Sequence, residues 1–312
     1  MNSASLGIDT SNYKTSVAIV DMAGEVICDF QQYLEVKKGE RGLRQSVALF
    51  QHVNNLPALF ERAFSALPQD TKIDCISVSS KPRPVEGSYM PVFNAGVSAA
   101  RTLAAALSVP CFTFSHQEGH IEAVRHHSTL AQSERFLSFH FSGGTTEGLF
   151  VDGETIRTVG GSKDLSIGQV LDRVGVAMGM VFPCGQEMDE LVLQNPPPSE
   201  NILPKIKCQD GYINLSGIET RCQRTISAVK NTDLIAMLFQ RLKEAIVQMS
   251  LQLSEKYSVS DILFAGGVSA SQYIRNHLAD ELDHLNICFG SPRLSTDNAV
   301  GTAFLGGKKL WR

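Results

Sequence analysis

The length, composition and charge of the chain limit its class. At 312 residues the chain is too long for one typical core, so two lobes are expected. Hydrophobic residues make up 43% and charged residues 19%, as in ordinary soluble globular proteins. A formal net charge of −4 argues against a protein that coats nucleic acid without a partner.

The cysteines and the apolar segments indicate a compartment. The seven cysteines are scattered and form no Cys-x-x-Cys pair, which is typical of reduced, mostly buried thiols. The N-terminal residues show no signal peptide, and no window of the sequence reaches the roughly 18 apolar residues that a membrane span needs. We therefore expect a cytoplasmic protein that does not enter a membrane.

A strand, a polar turn and a second strand open each half of the chain. In the first half, apolar residues 6–8 and 16–20 flank a polar turn at 9–12. In the second half, a predicted strand at 136–141 leads into the small residues 142–146. Small residues at such turns let backbone N–H groups approach an anion such as phosphate. The repetition predicts a duplicated architecture.

Hydrophobic periodicity predicts the other elements. In chain order they are a buried strand at 74–79, an Ala-rich helix at 92–107, a strand at 109–114, a helix at 166–180, a proline loop at 195–198, an amphipathic helix at 232–257 and a strand at 262–265. The last strand runs into a Gly-rich turn at 266–271, where α/β folds bring backbone close to a nucleotide. A tight strand-to-helix turn without a ligand would explain one such site equally well.

Two histidines one helical turn apart are the first candidates for chemistry. The motif HQEGH at residues 116–120 places His116 and His120 on one face of a helix, which suits two ligands of one metal ion. Asp297, in a polar turn before the apolar residues 299–307, would add a carboxylate and leave positions open for a substrate. An exposed histidine pair at a helix start would show the same spacing, so the prediction depends on the other motifs.

Taken together, these segments resemble the threonylcarbamoyl-transferase subunit family, which makes threonylcarbamoyladenosine in transfer RNA. This family, once called a glycoprotease, belongs to the actin-like, heat-shock-chaperone and sugar-kinase superfamily. The resemblance covers nearly the whole chain, and HQEGH is its most specific match. The other matching segments are LGIDTS at 6–11, SGG at 142–144, GQVLDR at 168–173, FPCG at 182–185, AGGVSA at 265–270 and TDN at 296–298.

The resemblance implies a fold and a reaction. The fold would be α/β, two-lobed and actin-like (a duplicated ribonuclease H-like fold) with a central cleft, and its lobes would be residues 1–115 and 116–312. The reaction would transfer threonylcarbamoyl from threonylcarbamoyl-adenylate to a tRNA adenosine, assisted by one divalent metal ion, iron or zinc. The enzyme would be an acyltransferase that works with the partner subunits of a tRNA-modification complex.

The resemblance also implies the ligands. His116, His120 and Asp297 would hold the metal ion. The residues that would contact the adenylate are His140, Phe141, Ser142, Gly143, Gly144, Asp172, Gly185, Asp189 and Ser271. Among them, Asp172 and Asp189 would accept hydrogen bonds from ribose or threonyl hydroxyls. No residue is assigned as a catalytic base.

Five positions depart from the family's pattern. Tyr13 and Lys14 stand where acidic residues are usual, Thr145 replaces a histidine, Ser271 replaces an asparagine, and Glu219 replaces a lysine. These changes leave the metal and nucleotide motifs intact but alter the part of the site where the transferred group would react. Two alternatives therefore stay open: a metal- and nucleotide-binding paralogue that carbamoylates a different acceptor, and a non-catalytic scaffold subunit. A peptidase is disfavoured because the sequence has no His-Glu-x-x-His motif.

Overall fold

The computed structural model describes residues 2–11, 13–36, 43–290, 294 and 298–311. Its elements in chain order are β1 (Asn2–Asp9), β2 (Lys14–Asp21), β3 (Val26–Tyr33), α1 (Gln45–Ala66), β4 (Thr71–Lys81), α2 (Phe93–Leu107), β5 (Cys111–Ser115), α3 (His116–Arg125), β6 (Arg135–Phe141), β7 (Thr146–Asp152), β8 (Thr155–Ser162), α4 (Ile167–Ala177), α5 (Gly185–Gln194), β9 (Tyr212–Ile213), α6 (Ser216–Thr225), α7 (Asn231–Tyr257), β10 (Asp261–Ala265), a short 3-10 helix (Val268–Ala270), α8 (Gln272–Glu281), β11 (Asn286–Phe289) and α9 (Val300–Trp311). These elements form two compact units, one of Met1–His127 with Arg293–Arg312 and the other of Ser128–Pro292.

The first unit is built on a mixed sheet whose described strands run in the order β3–β2–β1–β4–β5. The predicted hairpin is confirmed, because β1 and β2 pair antiparallel, while β4 and β5 continue the sheet parallel to β1. Side chains alternate between the two faces of a strand. One set of alternate residues, such as Leu6, Ile8, Val17 and Ile19, is buried in the core that α1 and α2 complete.

Small residues bring α9 close to the other face of this sheet. A Cβ atom added to Gly7 of β1 would overlap the carbonyl oxygen of Ala299, and one added to Gly306 would overlap the Ser77 hydroxyl. The apolar part of this contact joins Ala18 and Val20 of β2 to Ala303 and Phe304 of α9, among others. The described C-terminal helix is therefore part of the first unit's core.

The observed division differs from the predicted lobes of 1–115 and 116–312. α3 stays with the first unit because it packs backbone to backbone on α9: a Cβ on Gly301 would overlap the carbonyl oxygen of Gly119. Glu122 of α3, almost fully buried, also forms ion pairs with Arg125 at 2.8 Å and with Lys308 of α9. The first unit thus comprises Met1–His127 together with the C-terminal segment Arg293–Arg312.

The second unit has its own mixed sheet, with the described strands in the order β11–β10–β6–β7–β8–β9. The second predicted hairpin is confirmed by antiparallel pairing of β6 with β7, and β10 lies parallel to β6 on the other side. The predicted core face of the long helix α7 is also confirmed, since the following residues are fully buried: Leu234, Leu238, Leu242, Ile246 and Met249. Both sheets are flanked by helices, which confirms the α/β class.

The structure also bears on the cysteines and on membrane insertion. All seven cysteines are described and carry free thiols, and four of them are buried: Cys28, Cys75, Cys184 and Cys222. Within the described ranges, no helix is both long and apolar enough to cross a bilayer.

Candidate functional site

A capping box fixes the start of the histidine helix in the first unit. The Ser115 hydroxyl accepts a hydrogen bond from the Glu118 backbone N–H at 3.2 Å, and the Glu118 carboxylate accepts from the Ser115 N–H at 2.6 Å. This pairing begins α3 at His116 and commits Glu118 to the cap. The sequence Ser-x-x-Glu at residues 115–118 is a signal that could have revealed this helix start in advance.

The two histidines of α3 converge. The Nε2 atoms of His116 and His120 lie 2.9 Å apart, and their ring centroids are 4.2 Å apart. Two nitrogens that bind one ion tetrahedrally at about 2.05 Å are separated by about 3.3 Å, so a small rotation of either ring would admit the ion. The donor types and their spacing therefore fit two ligands of one divalent ion. The helical pairing predicted from HQEGH is present in the structure.

The third predicted ligand cannot be placed beside them. Asp297 lies outside the described residues, so its position relative to the histidines stays a prediction. Among the residues that the structure does describe, no group of three His, Cys, Asp or Glu side chains could hold a metal ion. The helix that follows Asp297 in the chain, α9, packs on α3, where a Cβ on Gly119 would lie 2.8 Å from the Thr302 hydroxyl.

Asp9, the last residue of β1, contacts the ring nitrogen of His116 that faces away from His120. Its Oδ2 lies 2.7 Å from His116 Nδ1 and accepts a hydrogen bond from the Ser79 hydroxyl at 2.7 Å. Its Oδ1 accepts from the Ser11 backbone N–H at 2.7 Å, and the side chain is only 1% exposed. The sequence places Asp9 in a polar turn and gives no sign of this role, because the contact joins residues 107 positions apart.

In the second unit, the loop at 142–145 rests on the start of α4. The Ser166 hydroxyl, which caps α4, donates to the Gly143 carbonyl at 2.7 Å, and the Thr145 N–H donates to the Ser142 hydroxyl at 3.1 Å. A Cβ on Gly168 would come within 2.6 Å of Gly143. The loop is thus held rigidly by its neighbours. Gly143 and Gly144 nevertheless face open space, as a backbone that approaches a phosphate must.

The second Gly-rich turn ends the neighbouring strand. β10 pairs with β6 so that Ala265 lies opposite His140, and Gly266 follows with φ +92°, a conformation that favours glycine. A Cβ on Gly266 would overlap the Phe141 backbone, so this turn and the loop at 142–145 leave the same edge of the sheet. Phe141 is 0% exposed, so it packs under both turns and offers no exposed surface to a ligand.

Asp172 and Gly185 are brought together at the start of α5. The Asp172 carboxylate accepts a hydrogen bond from the Cys184 backbone N–H at 2.8 Å, and Cys184 is fully buried. This bond fixes the turn that precedes Gly185, the first residue of α5. A Cβ on Gly185 would meet no atom within 4 Å, so its backbone faces open space.

Asp189 and Ser271 also meet, and together they cap α8. Asp189 accepts hydrogen bonds from the Gln272 N–H at 2.8 Å and from the Ser271 hydroxyl. The Ser271 hydroxyl itself accepts from the Ile274 N–H at 3.2 Å. These contacts satisfy N–H groups that a helix start leaves without partners. Sequence reasoning predicted both residues as ligand contacts and did not anticipate this capping role.

Two of the departures from the family's pattern are buried. Lys14 is 6% exposed, and its ammonium donates to the Gln31 side chain at 3.2 Å and lies 4.9 Å from the centre of the Tyr33 ring. Since Ser16 pairs with Asp9, Lys14, two residues away on β2, lies on the same face of the sheet as Asp9. The first unit therefore carries a cation on the face that holds His116.

The second buried departure is Glu219, 8% exposed, on α6. It accepts a hydrogen bond from Gln223, and burial together with this nearby carboxylate raises the pKa of the Cys222 thiol to about 12. α6 is capped by Asp164, which accepts from the backbone N–H groups of Leu215 at 2.8 Å and Ser216 at 3.0 Å. Asp164 thus fixes the start of the helix that carries Glu219.

Solved structures with the same architecture show the fold. The chain aligns with component A of the (R)-2-hydroxyglutaryl-CoA dehydratase of Acidaminococcus fermentans at a TM-score of 0.57, 14% identity and 99% coverage of both chains. It aligns with the ROK hexokinase of Thermus thermophilus at a TM-score of 0.59, 13% identity and 99% coverage of both. The actin-like, sugar-kinase fold expected from the sequence is thereby confirmed.

Comparison of sequences identifies the family. The chain is 27% identical to the tRNA N6-adenosine threonylcarbamoyltransferase of Dictyoglomus turgidum, over 96% of this chain and 92% of the relative. It is 28% identical to the protein of the same name from Streptococcus gordonii, over 96% and 90%. The family model described as tRNA N6-adenosine threonylcarbamoyltransferase matches residues 24–304. Because this match spans most of the 312 residues and includes the histidine helix, the chain belongs to the tRNA N6-adenosine threonylcarbamoyltransferase family.

Proposed function

We propose that the chain transfers a threonylcarbamoyl group from threonylcarbamoyl-adenylate to the N6 amine of a tRNA adenosine. The observation that carries the proposal is the convergence of His116 and His120 at 2.9 Å in a member of this family. The Asp9 carboxylate, 2.7 Å from the other ring nitrogen of His116, is the kind of partner that a metal-bound histidine usually has. The tRNA substrate and the free thiols both suit a cytoplasmic enzyme.

His116 and His120 would hold one divalent ion, iron or zinc, with Asp297 as the proposed third ligand. When bound, such an ion would polarise the carbonyl of the threonylcarbamoyl group. The chain's own residues prepare the site: the Ser115–Glu118 cap fixes the helix, and Asp9 orients His116. The described residues assign no side-chain nucleophile to the reaction, and direct attack by the amine needs none.

The adenylate would bind to the second unit at the two Gly-rich turns. Backbone N–H groups of Gly143 and Gly144 would approach its phosphate, since this loop faces open space and is held by Ser166. The Ser142 N–H already donates to the Thr145 carbonyl at 2.8 Å, so Ser142 would contact the ligand through its hydroxyl. Asp172 and Gly185 would lie at the ribose. Asp189 and Ser271 already cap α8, so any contact they make with the ligand would be shared with that role.

Partner subunits would bind to the first unit. α1 exposes apolar side chains, including Phe50 (66% exposed) and Val53 (52%), beside a cavity of about 330 Å³ between α1 and α2. Exposed apolar side chains beside such a cavity are typical of a protein interaction site. Phe50→Glu should prevent co-elution with a partner subunit on size exclusion without unfolding the chain.

The test of the proposal is the reaction itself. Purified chain, metal ion, threonylcarbamoyl-adenylate and partner subunits are incubated with unmodified tRNA, and the tRNA is digested to nucleosides for mass spectrometry. We expect threonylcarbamoyladenosine to accumulate, at a rate below that of a family member with the usual residues at positions 14 and 145. Absence of the product, with metal and adenylate still bound, would contradict transfer to tRNA.

A second candidate is a paralogue that carbamoylates a different acceptor. The observation that favours it is that Lys14 and Glu219 are both buried. Each carries the opposite charge to the residue that is usual in the family at that position. Lys14→Glu alone should not restore full tRNA modification if this candidate is right, because residues that act as a unit are not additive. Robust modification by the unmutated chain would remove this candidate.

A further inference from the structure

We propose that Asp9 is a positioning residue of the metal centre, because it holds His116 in the tautomer whose Nε2 lone pair faces His120. The inference rests on the metal site of the proposed function and adds a residue to it. It follows from the hydrogen bond between His116 Nδ1 and Asp9 Oδ2 at 2.7 Å. Asp9 contacts His116 at the ring nitrogen opposite the one that faces His120.

The chemistry of the two groups decides the position of the proton. An ionised carboxylate has no hydrogen to donate, so the proton between Asp9 and His116 must sit on Nδ1. A neutral imidazole carries only one N–H, which leaves Nε2 as an acceptor. Nε2 is the atom that lies 2.9 Å from the Nε2 of His120. A metal ion can bind only the nitrogen that has a free lone pair, so Asp9 selects the productive form.

The neighbours of Asp9 keep its carboxylate in this position. The Ser11 N–H donates to Oδ1 and the Ser79 hydroxyl donates to Oδ2, each at 2.7 Å. The Ser11 hydroxyl also donates to Oδ1, and its oxygen lies 3.3 Å from His116 Nε2. Ser79 in turn contacts Thr302 of α9 at 3.2 Å. The orientation of His116 therefore depends on both helices that pack on this face of the sheet, α3 and α9.

Replacement of Asp9 by asparagine would reverse the preference. The amide side chain could accept at only one of the two positions, and its nitrogen would have to occupy the other. The Ser11 backbone N–H cannot change into an acceptor, so the amide oxygen would take the Oδ1 position. The NH2 group would then face His116 Nδ1 and make it an acceptor. The proton would move to Nε2, and the lone pair would no longer face His120.

The first measurement concerns the unmutated, metal-free protein. Two-dimensional 15N NMR of histidine-labelled protein near pH 8, above the usual histidine pKa of about 6.5, distinguishes the two neutral tautomers. We expect the His116 signals to show a protonated Nδ1 and an unprotonated Nε2, and to be identified by their loss in His116→Gln. An Nε2–H tautomer for His116 would overturn the proposal.

The second measurement is the affinity for Zn²⁺, determined by competition with a chromogenic chelator. Asp9→Asn should weaken binding by about 10- to 100-fold, as loss of a partner of a metal-bound histidine generally does, and should convert His116 to the Nε2–H tautomer. Two variants are matched controls. Asp74→Asn changes the same charge elsewhere in the first unit, and Ser79→Ala removes a donor but keeps the Asp9 carboxylate.

The outcomes separate the inference from the proposed function. If the unmutated chain binds no Zn²⁺, the metal site of the proposed function fails, while the tautomer measurement still judges Asp9. If the unmutated chain binds Zn²⁺ and folded Asp9→Asn binds it equally well, only the role of Asp9 is contradicted. If Asp9→Asn does not fold, the unmutated tautomer and Ser79→Ala, which should keep both the tautomer and most of the affinity, decide the question.

Discussion

At the residue scale, the histidine pair depends on one local and one distant contact. The Ser115–Glu118 cap starts α3 at His116, and the Asp9 carboxylate fixes the ring from another strand. Neither contact involves the hydrophobic core directly. Removing a histidine should therefore change the site far more than it changes the stability of the fold.

His116→Ala tests this separation. We expect the variant to lose stoichiometric metal, because His120 alone provides a single nitrogen ligand. It should remain folded, with an unchanged circular dichroism spectrum. His284→Ala, at an exposed position of the second unit, is the matched control and should bind metal like the unmutated chain. Elemental analysis that finds His116→Ala fully metallated would show that the site is elsewhere.

Asp164 gives a second prediction at this scale, one of pH dependence. Burial opposes its ionisation, but hydrogen bonds from Leu215, Ser216 and Leu165 outweigh it and lower its pKa below the usual 3.8. A lowered folded-state pKa means that the carboxylate stabilises the fold above pH 3.8, and that this contribution is lost as the pH falls through the folded-state value.

Asp164→Asn should therefore reduce the free energy of unfolding at pH 7 by about 1 kcal/mol, and by less at pH 3. The measurement is urea denaturation of both proteins at the two pH values. Asn keeps the size of the side chain and one acceptor, so packing is matched. A difference in stability that is the same at both pH values would show that the charge is not responsible.

How far the sequence predicts individual residues depends on how local their contacts are. The pairing of His116 with His120 follows from helical spacing, and the structure contains it. The role of Asp9 could not be predicted, because β1 and α3 meet only in the folded sheet. Asp189 and Ser271 were predicted as ligand contacts, whereas the structure uses both to cap α8. This capping contact joins residues 82 positions apart, so the sequence does not reveal it.

At the element scale, α9 is the most informative helix. Its residues, Val300–Trp311, include three glycines, and the sequence indicates an apolar stretch at 299–307 without predicting a helix. Glycine disfavours helices in isolation, so local preference could not predict this one. Two of the three glycines are explained by packing, since Gly301 lets α9 contact the backbone of α3 and Gly306 lets it contact Ser77 of the sheet.

Gly301→Ala tests the packing. Its Cβ would overlap the Gly119 carbonyl, so we expect the variant to lose about 1–3 kcal/mol of stability, as in other overpacked cores. Gly217→Ala on α6 is the matched control, because its Cβ would meet no atom within 4 Å and should be neutral or stabilise by about 0.4–1 kcal/mol. The same melting temperature for both variants in calorimetry would contradict the close approach of α3 and α9.

At the scale of the whole molecule, each unit repeats one plan. A mixed sheet begins with an antiparallel hairpin, and a parallel strand lies on the other side of the hairpin's first strand. The repeated strand–turn–strand pattern in the sequence predicts this duplication correctly. It does not predict that the C-terminal helix belongs to the first unit, because that assignment depends on contacts between α3 and α9.

Nucleotide binding can be tested on the intact chain. At a hundredfold excess of AMP over its dissociation constant, the free energy of unfolding should rise by about 3 kcal/mol. Gly143→Ala should abolish the rise without lowering stability, because the new methyl group would occupy the open space in front of the loop. Gly217→Ala should retain the rise, because its new methyl group also faces open space but lies on α6. No thermal shift and no calorimetric heat with AMP, ADP or ATP would exclude the nucleotide site.

The most direct test of the proposed function is the metal dependence of tRNA modification. The reconstituted reaction is run with unmutated protein stripped by a chelator, with the same protein after iron or zinc is restored, and with His120→Ala given the same metal. We expect threonylcarbamoyladenosine in the digested tRNA only from the remetallated, unmutated protein. Equal product from the stripped protein, or from His120→Ala, would contradict a reaction that depends on the converging histidines.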